Sequence, residues 1–197
     1  MAGKKKEDLY RSARIAVTDQ RDGVGGVVHG IMAWDPANNC GWAVYMRSED
    51  GGYRLIDFGR LKPGWTVSDI ARITKQYIAR RIGADDGMWA CVIETQYLGS
   101  NPSTLISLVE KRATIEAVCV LRGMQVLRVA AKSWQALLLK YRGETSIPKG
   151  LTKERSIRRA LTLLTENGTG ITDDEADAIN IGDWARAVAE SIMEDVH

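Results

Sequence analysis

Four acidic residues stand where a buried sheet and a buried helix ordinarily carry no charge. Asp35 and Glu94 each follow a strongly apolar strand segment, and Asp174 and Asp177 open the last helical segment. A carboxylate that faces an apolar interior loses its hydration, so it persists by pairing with cations or by binding a metal ion. The chain is therefore expected to fold so that these acids find such partners, which favours a metal-dependent enzyme.

The composition is that of a folded domain. The chain has 197 residues, of which 45% are hydrophobic and 26% are charged, and these fractions argue against disorder. The net charge of +2 neither favours nor excludes a nucleic-acid partner. Three widely spaced cysteines in apolar surroundings argue against a disulfide framework or a zinc site. We expect an intracellular, cytoplasmic protein without a small-molecule cofactor.

No membrane partner is expected either, because no segment is apolar over the length that spans a bilayer and no signal peptide is recognisable.

The chain is predicted to divide into a short extension and one domain. Residues 1–26 hold a lysine cluster and several glycines that interrupt regular structure, which predicts a flexible basic extension. The domain is predicted to cover residues 27–197.

Hydrophobic patterning predicts strands and helices in a specific order. Apolar runs of strand length alternate with segments of helical periodicity. The predicted strands cover 27–34, 41–46, 53–59, 88–93 and 124–129, and the predicted helices cover 66–83, 102–122, 132–141, 152–166 and about 172–195. This order is that of an RNase H-like fold, an α/β fold with a mixed five-stranded sheet flanked by helices.

The predicted fold brings the four acids together. Its first and fourth strands are neighbours, so Asp35 and Glu94 are expected at the same end of parallel strands, where open α/β sheets commonly place their sites. Asp174 and Asp177 are three residues apart and share a helix face. Asp177 also continues an apolar row that is expected to pack on the sheet. That row consists of Ile181, Trp184, Val188 and Ile192.

Such a cluster suits divalent cations. Carboxylates at close range repel one another unless cations neutralise them. Mg²⁺ fits best because it prefers oxygen ligands and keeps several waters, and Mn²⁺ is its substitute. Two ions about 4 Å apart stabilise the entering and leaving oxygens of a phosphoryl displacement. The sequence therefore predicts magnesium-dependent nuclease chemistry that needs no histidine.

Each acid also has a structural explanation of its own. Asp35 precedes Pro36, and both residues favour turns. Glu94 can simply end a strand, and acids at the start of a helix complement its dipole. Asp177 is harder to explain this way because it lies on the apolar row. Asp57, within the third predicted strand, is interpreted as part of a solvated strand face.

Three segments resemble RuvC-like Holliday-junction resolvases. GIMAWDP at 30–36 with CGWAV at 40–44 resembles the first strand and hairpin of that family. VIETQY at 92–97 resembles its second acidic motif, and DEADAI at 174–179 resembles its C-terminal acidic motif. The likeness covers about 27–189. It implies a homodimer that binds a four-way DNA junction and cuts two symmetry-related strands with magnesium. The implied metal ligands are Asp35, Glu94, Asp174 and Asp177.

DNA contacts are expected from cations near the carboxylates, because phosphates dominate nucleic-acid affinity. The penultimate helix has a basic side, for which a solvated face is the alternative interpretation. Tyr97 lies where similar resolvases place an aromatic that stacks on opened bases, and a core or rim aromatic is its alternative. The candidate DNA-binding residues are Tyr97, Arg112, Lys132, Lys149, Lys153, Arg155, Arg158 and Arg159.

The predicted function is a metal-dependent endonuclease that resolves four-way junctions by paired symmetric cuts. A flap or branch endonuclease and an RNase H-type nuclease are alternatives with the same fold. A non-catalytic junction-binding protein is a third alternative, because the basic helix and tail alone would allow it. The helix at 103–122 is apolar on two sides and is the predicted dimer element, since an isologous interface presents one patch to its own copy.

Overall fold

The structure, a computed structural model, describes residues 28–78, 88–95, 102–164 and 170–194. The predicted extension at 1–26, the candidate Tyr97 and the side chain of Ile192 lie outside the described part of the chain. The division into an extension and one domain therefore stays a prediction.

The described strands form one mixed sheet. They are β1 (Val28–Asp35), β2 (Cys40–Arg47), β3 (Tyr53–Leu61), β4 (Met88–Thr95) and β5 (Gln125–Ala130). Their spatial order is β3-β2-β1-β4-β5. β1, β2 and β3 pair antiparallel, whereas β4 pairs parallel with both β1 and β5. The predicted contact between the first and fourth strands is confirmed.

Helices cover both faces of this sheet. They are α1 (Val67–Ile78), α2 (Pro102–Leu121), α3 (Ala131–Leu138), α4 (Thr152–Leu161) and α5 (Asp173–Glu194). The predicted mixed five-stranded sheet with flanking helices is therefore confirmed. Across the described ranges, no helix combines the length and the apolarity that crossing a membrane requires.

Alternate residues of each central strand pack into two different cores. In β1, Ile31 and Ala33 join the core under α3, α4 and α5, whereas Met32 and Trp34 join the core under α1 and α2. This alternation is the two-residue period of a strand. The unbroken apolar runs of β1 and β4 follow from it, because both faces of these strands are covered.

α5 lies directly against β1 and β2. A Cβ atom added at Gly182 would collide with the ring of Tyr45 and would lie 3.3 Å from the Cβ of Ala33. The Tyr45 hydroxyl donates a hydrogen bond to the carbonyl oxygen of Ile179 at 2.9 Å. The helix is therefore fixed on the sheet by close backbone approach. The apolar row predicted to pack here is buried at Ile181, Trp184 and Val188.

Asp57 does not lie on the solvated strand face that its sequence context indicates. The side chain is half-buried and accepts a hydrogen bond from the Tyr77 hydroxyl of α1. The pairing of β2 with β3 skips Ile56, which is 47% exposed. Such a bulge reverses the alternation beyond it. Asp57 thus anchors α1 to β3.

α2 buries one side and exposes the other. Ile115, Val118 and Cys119 pack against the sheet. Along the opposite side runs an exposed apolar row, in which Ile106 is 59% exposed and Val120 is 60% exposed. The two-sided apolar character predicted for this helix is confirmed, and one side is open to solvent in the single chain.

Candidate active site

Asp35 and Glu94 end two adjacent parallel strands. The pairing of β1 with β4 continues up to the residues just before them. Ala33 and Val92 point into the core under α5, so the acids two positions later project to the same face. The predicted meeting of these two strand ends is confirmed, while their role as metal ligands stays a prediction.

Gly41 allows the start of α5 to reach this edge of the sheet. Gly41 pairs with Asp35 across the β1–β2 ladder. A Cβ atom at this position would collide with the backbone carbonyl oxygen of Asp174 and would lie 3.2 Å from the Cβ of Ala178. Glycine is therefore required for the close approach. This contact brings the start of α5, with Asp174 and Asp177, beside Asp35.

We call Asp35, Glu94, Asp174 and Asp177 the acidic site. Burial raises the pKa of Asp35 well above its ordinary value, and the charges of the other three acids raise it further. Burial also raises the pKa of Glu94 to about 7 and that of Asp177 to about 6. Burial and the neighbouring Asp173 raise the pKa of Asp174. The four carboxylates thus lie within electrostatic reach of one another.

Hydrogen-bond donors from α3 and α4 hold two of these carboxylates. The fully buried Trp134 donates its indole N–H to Oε2 of Glu94 at 2.7 Å. Ser156 donates its hydroxyl to Oδ1 of Asp177, and Asn180 donates from Nδ2 to the Ser156 hydroxyl oxygen at 2.8 Å. Outer partners of this kind orient ligands in metal sites.

Trp134, Ser156 and Asn180 are neighbours of the acidic site that the sequence analysis does not single out. Asn180 carries a recognisable signal, because it follows Asp177 by three residues and stands on the buried side of α5. A polar side chain in a buried position requires a partner. Trp134 carries no such signal, since a tryptophan on a helix is an ordinary core residue.

The donor set of the acidic site fits a hard divalent cation. Carboxylate oxygens are the ligands that Mg²⁺ prefers, and the neighbouring charges that raise the pKa of Asp35 all come from acids. Within residues 28–78, 88–95, 102–164 and 170–194, no three His, Cys, Asp or Glu side chains already stand in a metal-holding arrangement. Binding an ion therefore requires the carboxylates to turn toward a common point.

Solved structures of known proteins share this arrangement of strands and helices. Thermus thermophilus RuvC in complex with a Holliday junction substrate is similar with a TM-score of 0.59 and 14% sequence identity, over 83% of this chain and 96% of that chain. A second Thermus thermophilus RuvC structure gives a TM-score of 0.56 at 14% identity, again over 83% and 96%. The chain has the fold of RuvC.

This finding confirms the RNase H-like fold and the resemblance to RuvC at the level of the fold. The yeast mitochondrial Holliday junction resolvase Ydc2 is a more distant match, with a TM-score of 0.48 and 13% identity over 93% of this chain and 88% of that chain. No protein-family model matches the sequence. A search of curated proteins gives no match either.

Lys153 is the predicted DNA-binding residue that this RuvC fold places beside the acidic site. It lies at the start of α4 and pairs with Asp173 at the start of α5. That hydrogen bond lowers the pKa of Asp173. Both side chains are at least one-third exposed, at 77% and 36%, so Lys153 remains reachable for a phosphate.

Lys111 and Arg60 are further cations near the acidic site that the sequence analysis does not single out. Lys111 of α2 donates a hydrogen bond to Oδ1 of Asn38, in the loop that follows Asp35. Arg60 of β3 is exposed and is one of the charges that act on Asp174. The acids therefore have positive charge at their border.

Arg155 is buried and does not contribute to an exposed basic side of α4. Its guanidinium donates to both carboxylate oxygens of Glu144, at 2.6 and 2.7 Å. It also lies 4.0 Å from the centroid of the Tyr141 ring. The hydrogen bonds from Arg155 lower the pKa of Glu144 to about 2. Arg155 thus ties α4 to the preceding loop.

Arg158 and Arg159, the other basic candidates of α4, are paired with acids. Arg159 binds Asp183 at 2.5 Å, and Arg186 binds the same carboxylate at 2.7 Å. Asp183 is 1% exposed, so Arg159 has a structural task. Arg158 pairs with Glu154 on the solvent side at 2.5 Å, and that exposed pair leaves Arg158 available to DNA.

The remaining candidates are Lys149, Lys132 and Arg112. Lys149 is exposed in the loop before α4, and Lys132 is exposed on α3. Arg112 of α2 is close to Glu116 at 3.3 Å, and Glu116 also binds Arg128 at 2.7 Å. The predicted DNA contacts of Lys132 and Lys149 therefore stay predictions, whereas Arg112 belongs to a charged cluster on α2 and β5.

Proposed function

We propose that this chain is a metal-dependent, structure-specific DNA endonuclease that resolves four-way junctions by paired cuts. The observation that carries the proposal is the convergence of Asp35, Glu94 and the first turn of α5 on one face of the sheet. A similar protein, Thermus thermophilus RuvC, was solved with a Holliday junction substrate. That complex supports a branched DNA as the substrate.

The acidic site would hold two Mg²⁺ ions, with Mn²⁺ as a substitute. Bound divalent ions supply charge stabilisation and an activated water for phosphodiester hydrolysis. The residues of the chain prepare the site for them. Burial reduces the hydration of the carboxylates, and Trp134 and Ser156 donate hydrogen bonds to Glu94 and Asp177. These donors would limit the motion of the two side chains while the carboxylates turn toward a bound ion.

The DNA backbone would cross the start of α4 next to the acidic site. Lys153 is the central contact in this proposal, because its partner Asp173 is exposed and a phosphate can replace it. Lys149 and Arg158 would extend the contact along the loop and the outer side of α4. Tyr97 keeps its predicted role of stacking on bases at the opened centre of the junction.

The homodimer in this proposal uses the exposed apolar row of α2. Two symmetric cuts require two acidic sites related by an axis, and an isologous interface buries the same patch of each subunit. Apolar residues aligned along an exposed helix mark an interaction surface. The row contains Ile106, Val109 and Val120. Light scattering that detects only monomer at every protein concentration would remove the dimer from the proposal.

The substrate is tested by offering three nucleic acids side by side. A mobile four-way junction, a flapped duplex and an RNA/DNA hybrid are incubated with the protein and Mg²⁺, and a parallel series contains a chelator. We expect symmetric cuts in the junction that depend on Mg²⁺. Preferred cutting of the flap or the hybrid would instead favour one of the related nuclease activities, and tight junction binding without any cut would favour a binding protein.

The acidic site is tested by Asp35→Asn. Loss of this carboxylate is expected to reduce junction cleavage by about 10³-fold or more, because bound ions contribute several kcal/mol of charge stabilisation. Junction affinity in a chelator should stay close to that of the unsubstituted chain. Asp57→Asn is the matched control, since Asp57 is also a strand aspartate but contacts Tyr77. Unchanged cleavage by Asp35→Asn would eliminate the assignment.

A further inference from the structure

Arg60 belongs to the same row of the sheet as the two strand acids. In the β2–β3 ladder Arg60 stands opposite Gly41, and in the β1–β2 ladder Gly41 stands opposite Asp35. Glu94 follows on β4. Residues that stand opposite one another project to the same face of a sheet. This row of residues therefore runs across the sheet from Glu94 and Asp35 to Arg60 on the edge strand β3.

The neighbours of Arg60 on β3 confirm which face it occupies. Phe58 packs against the core under α5, and Leu61 is buried in the core under α1 and α2. By alternation, Arg60 projects toward the α5 side. Its positive charge also acts on Asp174. Burial raises the pKa of Asp174, and the charge of Arg60 lowers it by a smaller amount. The ladder and the electrostatic contact thus agree.

Arg60 differs from Arg159 and Arg186, which both form ion pairs with Asp183 of α5. It is exposed, and in the described part of the chain no ion pair occupies its guanidinium. Arg159, by comparison, is held by Asp183 at 2.5 Å. Gly41 carries no side chain that could cover the space between Arg60 and the acidic site. The guanidinium is therefore open to a ligand on the acidic face.

We propose that Arg60 is a substrate-positioning residue that binds a phosphate of the strand being cut, next to the scissile phosphate. The proposal rests on the nuclease function proposed above. Two strand spacings of about 4.8 Å separate β3 from β1, so Arg60 and Asp35 are roughly 10 Å apart at the backbone. An extended arginine side chain covers most of this separation, so the guanidinium can reach a phosphate beside the one that the carboxylates and their ions would hold. Guanidinium groups bind phosphates with two parallel hydrogen bonds.

The first test compares Arg60→Gln with Arg54→Gln. Arg54 is also an exposed arginine of β3, but it lies at the other end of the strand and pairs with Asp50 at 2.9 Å. Arg60→Gln is expected to raise the KM for a four-way junction about 10-fold. It should also reduce the slope of log affinity against log salt concentration by about one, which corresponds to the loss of one phosphate contact. Arg60→Lys should recover part of the loss, because the charge is kept and the paired hydrogen bonds are lost. Arg54→Gln should behave as the unsubstituted chain.

The second test identifies the phosphate. Neutral methylphosphonate groups replace single phosphates around the cut site, one per substrate. At one position beside the cut, the replacement should weaken binding by the unsubstituted chain about 10-fold and should leave Arg60→Gln unaffected, because the partner is already absent. A purely structural role of Arg60 would give additive losses at every position and would overturn the inference. If the unsubstituted chain neither binds nor cuts the junction, the proposed function fails instead.

Discussion

The middle and the start of α5 accommodate buried acids in opposite ways. In the middle, Asp183 is 1% exposed and receives two guanidinium groups, from Arg159 and Arg186, at 2.5 and 2.7 Å. At the start, Asp177 is half-buried and accepts a hydrogen bond from the Ser156 hydroxyl, while burial and then the neighbouring acids raise its pKa. On this one helix, Asp183 is therefore neutralised by arginines of the fold, whereas Asp177 lies close to further acids.

This difference separates an acid that is paired with cations inside the fold from one whose neighbours are mostly other acids. An ion pair that is complete within the fold has no need of an added cation. Carboxylates whose pKa values are raised by burial and by one another, as in Asp35 and Glu94, gain stability when a cation arrives. Under the proposed function, the start of α5 is therefore where ion binding should increase the stability of the fold.

The largest expected effect comes from Asp183→Asn. This change leaves two arginines next to a buried neutral group, and breaking a buried pair in this way costs about 3–5 kcal/mol. Thermal unfolding in a chelator should show a large decrease in Tm. Asp35→Asn is the matched control with the opposite sign, because it removes a repelling charge and should raise Tm. A decrease of equal size in both variants would show that the surroundings of Asp183 and the acidic site accommodate their acids in the same way.

The pH dependence of stability is expected to sharpen the same contrast. The pKa of folded Glu94 is about 7 and that of folded Asp177 is about 6, and both are raised above the ordinary values of 4.5 and 3.8. The folded chain therefore holds protons that the unfolded chain releases. The contribution of these two groups to the free energy of unfolding is therefore fully present below their ordinary pKa values. It is lost as the pH rises from about 4 to about 7. Glu94 alone would contribute about 3 kcal/mol to this loss.

Mg²⁺ should reduce this loss, because the ion replaces the protons as the neutralising charge. Tm measured across the same pH range in Mg²⁺ and in a chelator tests the point. We expect the two curves to coincide near pH 4 and to separate as the pH rises. Parallel curves at all pH values would mean that no ion binds at the acidic site.

A smaller effect is expected from Ser156→Ala. The substitution removes the hydroxyl that orients Asp177 and leaves Asn180 without one of its acceptors. Loss of an orienting partner of a ligand typically lowers metal affinity about 10- to 100-fold. Calorimetric titration with Mg²⁺ measures the affinity directly. Ser107→Ala on the exposed side of α2 is the control, and equal affinities of the two variants would contradict an orienting role.

The elements of the fold were predictable because their patterns are strong. β1 and β4 read as unbroken apolar runs since both faces are covered, and α5 shows its buried row at helical spacing. The acids stood out against those patterns as charges at the ends of apolar segments. The same patterns fixed the strand ends and the start of α5 where the acidic site forms.

The contacts that complete the site were not predictable from local pattern. Trp134 is 40 positions from Glu94 in sequence, and Arg155 is buried only because the loop before α4 brings Glu144 to it. The bulge at Ile56 reversed the alternation that assigned Asp57 to solvent. Each depends on how distant segments pack, which the periodicity of a single segment does not encode.

Two glycines, Gly41 on β2 and Gly182 on α5, allow the helix and the sheet to approach closely. At Gly41 the strand lies against the backbone of Asp174, and at Gly182 the helix backbone lies against the ring of Tyr45. The gap between the helix and the sheet is consequently set by main-chain geometry and not by the carboxylates. A chain with neutral amides in place of the four acids should keep this architecture, and under the proposed function it should bind a branched DNA without cutting it.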